Sequence, residues 1–271
     1  VGVRRIRANG IDVAYTLQGP GHAPVVAFSN SLCSDLTIWD DISHALQMRY
    51  RVLRYDLRGH GQTDATESEY SISSLSSDFI ALLDELAIPK VHLVGLSIGG
   101  MIAQHIAAVS PQRVSNVVLC ATAFKASPGI WEPRIAAARS AGLAGLVEPT
   151  LARWFSEETR TRCPKMIDSV ATMIAATSVP GYVGCAAALR DLSLSTIVGN
   201  ISAPTLLISG GDDKSTTPSE MAELQSLIPR SDIVVLPRAA HLLPLERPYE
   251  LTGLISGFLD RNSLVAGSEW E

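Results

Sequence analysis

Short apolar runs rich in Val, Leu and Ile recur along this chain, and segments with helical spacing separate them. That alternation restricts the fold more than any other feature of the sequence. Residues 24–29, 51–55, 91–95, 114–120, 204–209 and 233–236 read as strands. Their near-continuous apolar character fits strands covered on both faces. Residues 36–46, 71–86, 98–109, 218–228 and 249–259 read as helices. In 71–86, for example, apolar residues fall at Ile72, Leu75, Phe79, Leu82, Leu83 and Leu86. At the start, residues 3–8 and 11–17 flank Asn9-Gly10, a hairpin turn signal. Strands alternating with helices predict an α/β fold with a mostly parallel sheet and helices on its faces. The alternation stops near residue 124. Residues 124–195 are rich in helix formers without a clear strand and read as an inserted helical cap. The expected division is a core of 1–123 and 196–261, a cap of 124–195, and a polar tail of 262–271.

Composition narrows the function classes. At 271 residues and 46% hydrophobic, the chain can build a large core and is not a disordered one. Its 22 Lys and Arg against 27 Asp and Glu leave a formal charge of −5. That balance gives no basic field for nucleic acid and no polybasic patch for a membrane surface. No run approaches the roughly 18 apolar residues of a membrane span. The opening Val1-Gly-Val-Arg-Arg is followed by no apolar h-region, so it does not read as a secretory signal. Cys33, Cys120, Cys163 and Cys185 are scattered without a C-x-x-C pair. They supply no metal or redox motif, and a reducing, cytoplasmic setting fits them. Nothing in the sequence signals an oligomeric state.

Gly95-Leu96-Ser97-Ile98-Gly99-Gly100 follows a predicted strand and opens a predicted helix. A G-x-S-x-G in that context is the pattern of a nucleophile elbow, in which a tight turn raises the serine hydroxyl above the sheet edge. A serine hydroxyl attacks only when a base removes its proton. His241 lies in the loop after the last predicted strand, at a sheet edge where open α/β folds place their sites. His60 sits on another such loop, in Arg58-Gly-His-Gly61, and is the one serious competitor. The base needs an acid that fixes its tautomer. Asp212 and Asp213 both follow the strand at 204–209, and spacing alone leaves the choice open. The order Ser…Asp…His is the one expected for an α/β-hydrolase. An oxyanion hole needs two backbone N–H groups. Ile98 supplies one; the loop after the strand at 24–29 supplies the other, with Leu32 the expected donor. Asn30 and Ser31 are equally suited to ordering that loop.

These residues resemble the α/β-hydrolase family over nearly the whole chain, and within it they are most similar to bacterial 3-oxoadipate enol-lactonases. The resemblance rests on Phe28-Ser-Asn-Ser-Leu-Cys-Ser-Asp35 with Trp39, Arg54-Tyr-Asp-Leu-Arg-Gly-His-Gly61, Arg153-Trp-Phe155 and Gly181-Tyr-Val-Gly-Cys-Ala-Ala-Ala-Leu-Arg-Asp191, besides the elbow and the Asp and His loops. It implies an α/β-hydrolase fold with a helical cap and a Ser97, Asp213, His241 triad, since the family's acid ends a Gly-x-x-Asp turn that Gly210-Gly-Asp-Asp213 matches. It implies hydrolysis of a small lactone through an acyl-enzyme, in aromatic-compound catabolism, with no metal or organic cofactor. The implied substrate is anionic, so a local cation is needed. Arg134, Arg139, Arg153 and Arg190 in the cap are candidates, with Trp154 as an apolar wall and Trp131 as a second cap aromatic. One departure is Cys33, where members of this group usually carry Gly; a side chain there narrows the pocket or shifts the oxyanion loop.

Other members of the fold compete with this reading. Epoxide hydrolases and haloalkane dehalogenases carry Asp at the elbow, and Ser97 sets them aside. A carbon–carbon-bond hydrolase, a general carboxylesterase or a perhydrolase-type relative keeps the same triad. From another class, a ligand receptor retains a triad but turns over slowly. Fold alone does not choose among them.

Overall fold

The computed structural model describes residues 2–127 and 129–266, with side chains through Asn262. Strands β1 (Arg4–Ala8) and β2 (Ile11–Gln18) form the expected hairpin, and Asn9 and Gly10 between them have φ of 45° and 80°. Positive φ at both central residues matches the twist of a two-residue hairpin. β3 (Val25–Ser29), β4 (Arg51–Tyr55), β5 (Val91–Leu96), β6 (Val114–Cys120), β7 (Thr205–Gly210) and β8 (Ser231–Leu236) complete an eight-stranded sheet ordered β1-β2-β4-β3-β5-β6-β7-β8. β2 runs antiparallel to both its neighbours, and all pairs from β4 to β8 are parallel. β3, β5 and β7 are buried at every residue, which is why their sequences read as unbroken apolar runs.

The strand order reverses between β3 and β5. In open α/β sheets a crevice forms at the carboxyl ends of strands at such a reversal. The oxyanion loop leaves β3 and the nucleophile elbow leaves β5, so both candidate elements flank that crevice.

The helices that flank the sheet ahead of the cap are α1 (Asp40–Leu46), α2 (Ile72–Glu85) and α3 (Ile98–Val109). The helix expected over 36–46 is broken: Leu36–Trp39 is a 3-10 turn, and α1 begins after it. The Arg54 guanidinium donates to the Leu36 carbonyl that an α-helical turn would offer to residue 40, and Asp56 accepts from the Leu36 N–H. The cap holds α4 (Trp131–Ala141), α5 (Val147–Trp154), α6 (Glu157–Arg162), α7 (Pro164–Ala176) and α8 (Val179–Arg190). Ser156 and Ser178 accept backbone N–H groups at the starts of α6 and α8, and proline stands in the first turn of α7 and α8. The two ends of the cap stretch are pinned side by side: Ala126 N–H donates to Leu192 and Leu194 N–H to Phe124.

Beyond the cap come α9 (Pro218–Leu227), the single turn α10 (Leu243–Glu246) and α11 (Pro248–Ala266). β8 begins two residues earlier than its apolar run, because ladder hydrogen bonds to β7 extend to Ser231 without needing an apolar side chain. α11 runs on through the first five residues of the expected polar tail; 267–271 lie outside the described residues. Among the described residues no single helix is long and apolar enough to cross a membrane.

Candidate active site

Ser97 sits between β5 and α3 with φ 56° and ψ −119°. For a residue with a side chain, such backbone costs of order 1–3 kcal/mol and persists only where the surroundings over-determine it. They do so here. Ser97 N–H donates to Cys120, Gly99 N–H donates to Asn30, and Thr122 Oγ1 donates to the Ser97 carbonyl at 2.7 Å. Gly95 and Gly99 let three chain segments meet. A Cβ on Gly95 would lie 2.2 Å from the Gly99 carbonyl oxygen, and one on Gly99 would lie 2.2 Å from that of Ser29. The sequence G-x-S-x-G is thus a steric requirement of the turn.

His241 follows β8 and is buried. Its Nδ1 lies 2.8 Å from Asp213 Oδ2 and donates to it, which directs Nε2 away from the carboxylate. Asp213 is saturated with donors: Ser215 and Thr216 N–H bind Oδ1 at 2.7 and 3.1 Å, and Thr216 Oγ1 binds Oδ2 at 2.7 Å. Burial alone would raise the Asp213 pKa. The His241 charge and hydrogen bond, with the Thr216 and Ser215 donors, outweigh it and leave the carboxyl below its ordinary value. Asp212, its neighbour, is exposed, and its N–H donates to Ala239. Thr216 is a partner that sequence reading missed, because a Thr three residues beyond an Asp carries no signal of its own. Ser97 and His241 line one cavity without a direct hydrogen bond between them. Such bonds commonly tighten only when substrate arrives.

The loop after β3, expected to supply an oxyanion donor, is tied down by Asn30. Its side chain donates to the Tyr55 carbonyl at 2.8 Å and accepts from the Trp39 indole at 2.9 Å. Leu32 and Ser31 line the cavity beside Ser97. Ile98 is the first residue of α3, so its N–H has no partner within the helix. Cys33 is buried at φ 57°, the left-handed region that favours glycine, and it too lines the cavity. Burial pushes its thiol up to about 12, so it is no thiolate nucleophile.

The cavity holds about 150 Å³ between sheet edge and cap. The Trp154 ring stacks on the His241 ring, centroids 6.0 Å apart, and Trp154, Trp131, Tyr182 and Leu189 all line the cavity. Lys125, Arg134, Arg153 and Lys214 also line it, whereas among the described residues no Asp or Glu does. Lys125 is committed to Glu223 at 2.5 Å. Arg134 lies over the Trp131 ring, 4.9 Å from its centroid, and Arg153 donates to Thr150; among the described residues neither pairs with a carboxylate. Burial lowers the pKa of both, and the Arg134 charge lowers that of Arg153 further. Two half-buried guanidiniums thus face the cavity, the charge of one opposing that of the other.

Arg139 and Arg190 do not join this site. Both face outward: Arg139 pairs with Glu69, and Arg190 pairs with Glu69, Glu132 and Asp191. Arg134 and Arg139 share α4, but five residues turn a helix by roughly 140° beyond a full circle, so the two point to different sides. Among the histidines, His241 alone lines the cavity. His60 is buried elsewhere, with Nδ1 against the Arg58 carbonyl. No group of three or more His, Cys, Asp or Glu is placed to hold a metal among the described residues.

Residues 24–248 match the family model for the alpha/beta hydrolase fold. Over 251 residues the chain is 33% identical to 3-oxoadipate enol-lactonase 1 of Acinetobacter baylyi, covering 92% of this chain and 94% of the relative. Among solved structures, the enol-lactonase from Burkholderia xenovorans superposes with a TM-score of 0.93 at 34% identity, over 95% of this chain and 100% of that one. A thermophilic esterase from Thermogutta terrifontis, solved with malate bound, superposes with a TM-score of 0.89 at 28% identity, over 97% and 99%.

Proposed function

The chain belongs to the α/β-hydrolase fold family, and from that premise we propose that it hydrolyses 3-oxoadipate enol-lactone through an acyl-enzyme on Ser97. At the coarser level it is a serine-hydrolase-type enzyme of small esters and lactones, closely related to bacterial 3-oxoadipate enol-lactonases. The finer reading rests above all on one observation: in a chain of net charge −5, two lysines and two arginines line the cavity and, among the described residues, no Asp or Glu does. Such a cavity favours an acid over a neutral ester. The malate found in the related esterase is a small organic acid too.

The proposed reaction gives each of these groups one role. The substrate carboxylate lies against Arg134 and Arg153, which brings the lactone carbonyl toward Ser97 and the oxyanion loop. Ser97 Oγ attacks that carbonyl carbon while His241 Nε2 takes the hydroxyl proton. The carbonyl oxygen becomes an oxyanion and accepts from the Leu32 and Ile98 N–H groups. Asp213 holds the imidazolium through Nδ1. Collapse breaks the ring ester bond and expels an enolate, which His241 protonates. The enol then becomes a ketone. Water, deprotonated by His241, attacks the acyl-enzyme and releases the acid and Ser97. An enolate leaves more readily than an alkoxide, so ring opening makes little demand on His241 as an acid.

The test is hydrolysis of 3-oxoadipate enol-lactone, followed by loss of ultraviolet absorbance, with Ser97→Ala as control. Turnover far above that of p-nitrophenyl acetate, abolished in the control, is expected. Cleavage of p-nitrophenyl acetate with none of the lactone would move the chain to the general carboxylesterases. Cleavage of a vinylogous diketone instead would move it to the carbon–carbon-bond hydrolases.

A further inference from the structure

A buried carboxylate outside the triad joins the cap to the histidine loop. Glu246, at the end of α10, is 7% exposed. Its Oε2 accepts from the N–H of Ala240, the residue before His241, at 2.5 Å. Its Oε1 accepts from Ser156 N–H at 3.2 Å, with the Ser156 hydroxyl 3.3 Å away. Ser156 opens cap helix α6, two residues after Trp154. The Trp154 carbonyl in turn accepts from His241 N–H at 3.0 Å and Leu242 N–H at 3.3 Å, and its ring stacks on His241. One short cap segment and one carboxylate thus hold the successive backbone N–H groups of Ala240, His241 and Leu242.

The choice of glutamate has a chemical reason. A buried carboxylate is costly unless donors satisfy it, and hydrogen bonds to a charged acceptor are the strong ones. Among the described residues Glu246 has no ion-pair partner; its donors are one backbone N–H on each oxygen, from two separate parts of the fold, and the Ser156 hydroxyl. A glutamine of the same shape has one acceptor oxygen and would turn its NH2 toward the other N–H.

We propose that Glu246 is a positioning residue that locks the His241 backbone to the seated cap, so that the base is correctly placed only while the cap covers the cavity. This rests on the reading of Ser97, Asp213 and His241 as the reacting centre. Glu246 touches no substrate; it acts through the loop that carries His241. Its removal therefore lowers kcat and leaves the binding of a neutral substrate nearly unchanged.

The experiment compares wild type with Glu246→Gln, Ser156→Ala, Ser156→Pro and the Glu246→Gln/Ser156→Pro double variant. Each is assayed on p-nitrophenyl acetate and labelled at Ser97 with a fluorophosphonate. Ser156 has φ −64° and follows Phe155 at ψ 145°, a backbone that accepts proline. Ser156→Pro removes both the N–H and the hydroxyl, whereas Ser156→Ala removes the hydroxyl alone, so their difference isolates the N–H bond to Glu246. We expect kcat to fall about tenfold or more in Glu246→Gln, with KM changed less than twofold. Ser156→Pro should fall likewise relative to Ser156→Ala, and the double variant should be no worse than Glu246→Gln, because both changes break one link. If Glu246→Gln folds poorly, the two Ser156 variants carry the test between them. Loss of thermal stability with kcat intact, or fully additive losses, would overturn the proposal. A wild type that neither turns over nor labels at Ser97 would instead overturn the functional reading on which it stands.

Discussion

At the sheet edge Ser97 is held by main-chain hydrogen bonds and by glycines with no room for a side chain. In the cap, among the described residues, Arg134 lies over one indole ring and Arg153 donates to one hydroxyl, each on its own helix. The sheet fixes its reacting groups through backbone, which cannot shift without breaking strand pairing. The cap presents charges on long side chains that can adjust to what enters. The proposed function accordingly assigns the chemistry to the sheet edge and selection of the anion to Arg134 and Arg153. Changes at the sheet edge, or at the cap segment 154–156 that grips the His241 loop, should act on kcat, and changes at the cavity-facing arginines of the cap on discrimination between substrates.

The largest expected effect is on the sheet side. Ser97→Ala should lower kcat by roughly 10⁶-fold, the scale seen when a triad nucleophile is lost. A loss below about a hundredfold in steady-state assays would show that another group attacks. Asp213→Asn should cost on the order of 10⁴ in kcat, because the amide no longer enforces the Nδ1–H tautomer. Asp212→Asn, at an exposed position, should cost less than about threefold by the same assay, a scale at which the triad is untouched. If Asp212→Asn is the more damaging, the acid is misassigned.

The core also carries an acid weakness that the cap does not share. Burial holds His60 down to about 4, partly opposed by the Arg58 carbonyl and Asp35, and burial with the Lys90 charge holds His92 down to about 4. The unfolded chain takes up these protons near pH 6.5, the folded protein near 4. Stability is thus complete above about pH 6.5 and is lost as pH falls toward 4, by about 3 kcal/mol for each imidazole. Asp56 works in the opposite direction: burial raises it to about 6, so it adds stability as pH falls from 6 to 4. Two imidazoles outweigh one carboxyl. His92→Gln should lose less stability than wild type between pH 7 and pH 4 in thermal melts; parallel curves would show that His92 is protonated in the folded state.

The smallest effects belong to the outer face of the cap. Arg139→Gln and Arg190→Gln should each change kcat/KM for the lactone less than about twofold, since exposed ion pairs contribute little. A tenfold rise in KM in either variant would place the anion outside the cavity described above.

The same division explains what could be read from sequence. Buried parallel strands write themselves as apolar runs, and a turn with no room for Cβ writes itself as glycine, so the sheet, the elbow at Ser97 and the loop of His241 were legible. Choosing Asp213 over Asp212 needed the family resemblance, and the structure adds the physical reason: one carboxylate is buried among donors and the other faces water. The cap was legible only as helix. Which arginine faces the cavity depends on how each helix is rotated, and short, weakly patterned helices such as α4 do not declare their rotation. Glu246 was also invisible, because its partners, Ala240 and Ser156, are joined through backbone groups that every residue has.

The separation of chemistry from selectivity is tested most directly by one ratio. It is kcat/KM for 3-oxoadipate enol-lactone over kcat/KM for its neutral methyl ester, measured in wild type and in Arg134→Met/Arg153→Met. Wild type should prefer the acid by about ten- to a hundredfold, the scale of a desolvated charge-assisted contact. The double variant should lose that preference while its kcat/KM for the ester stays within about twofold. If both substrates decline together, or the acid preference survives, the arginine pair does not select the anion.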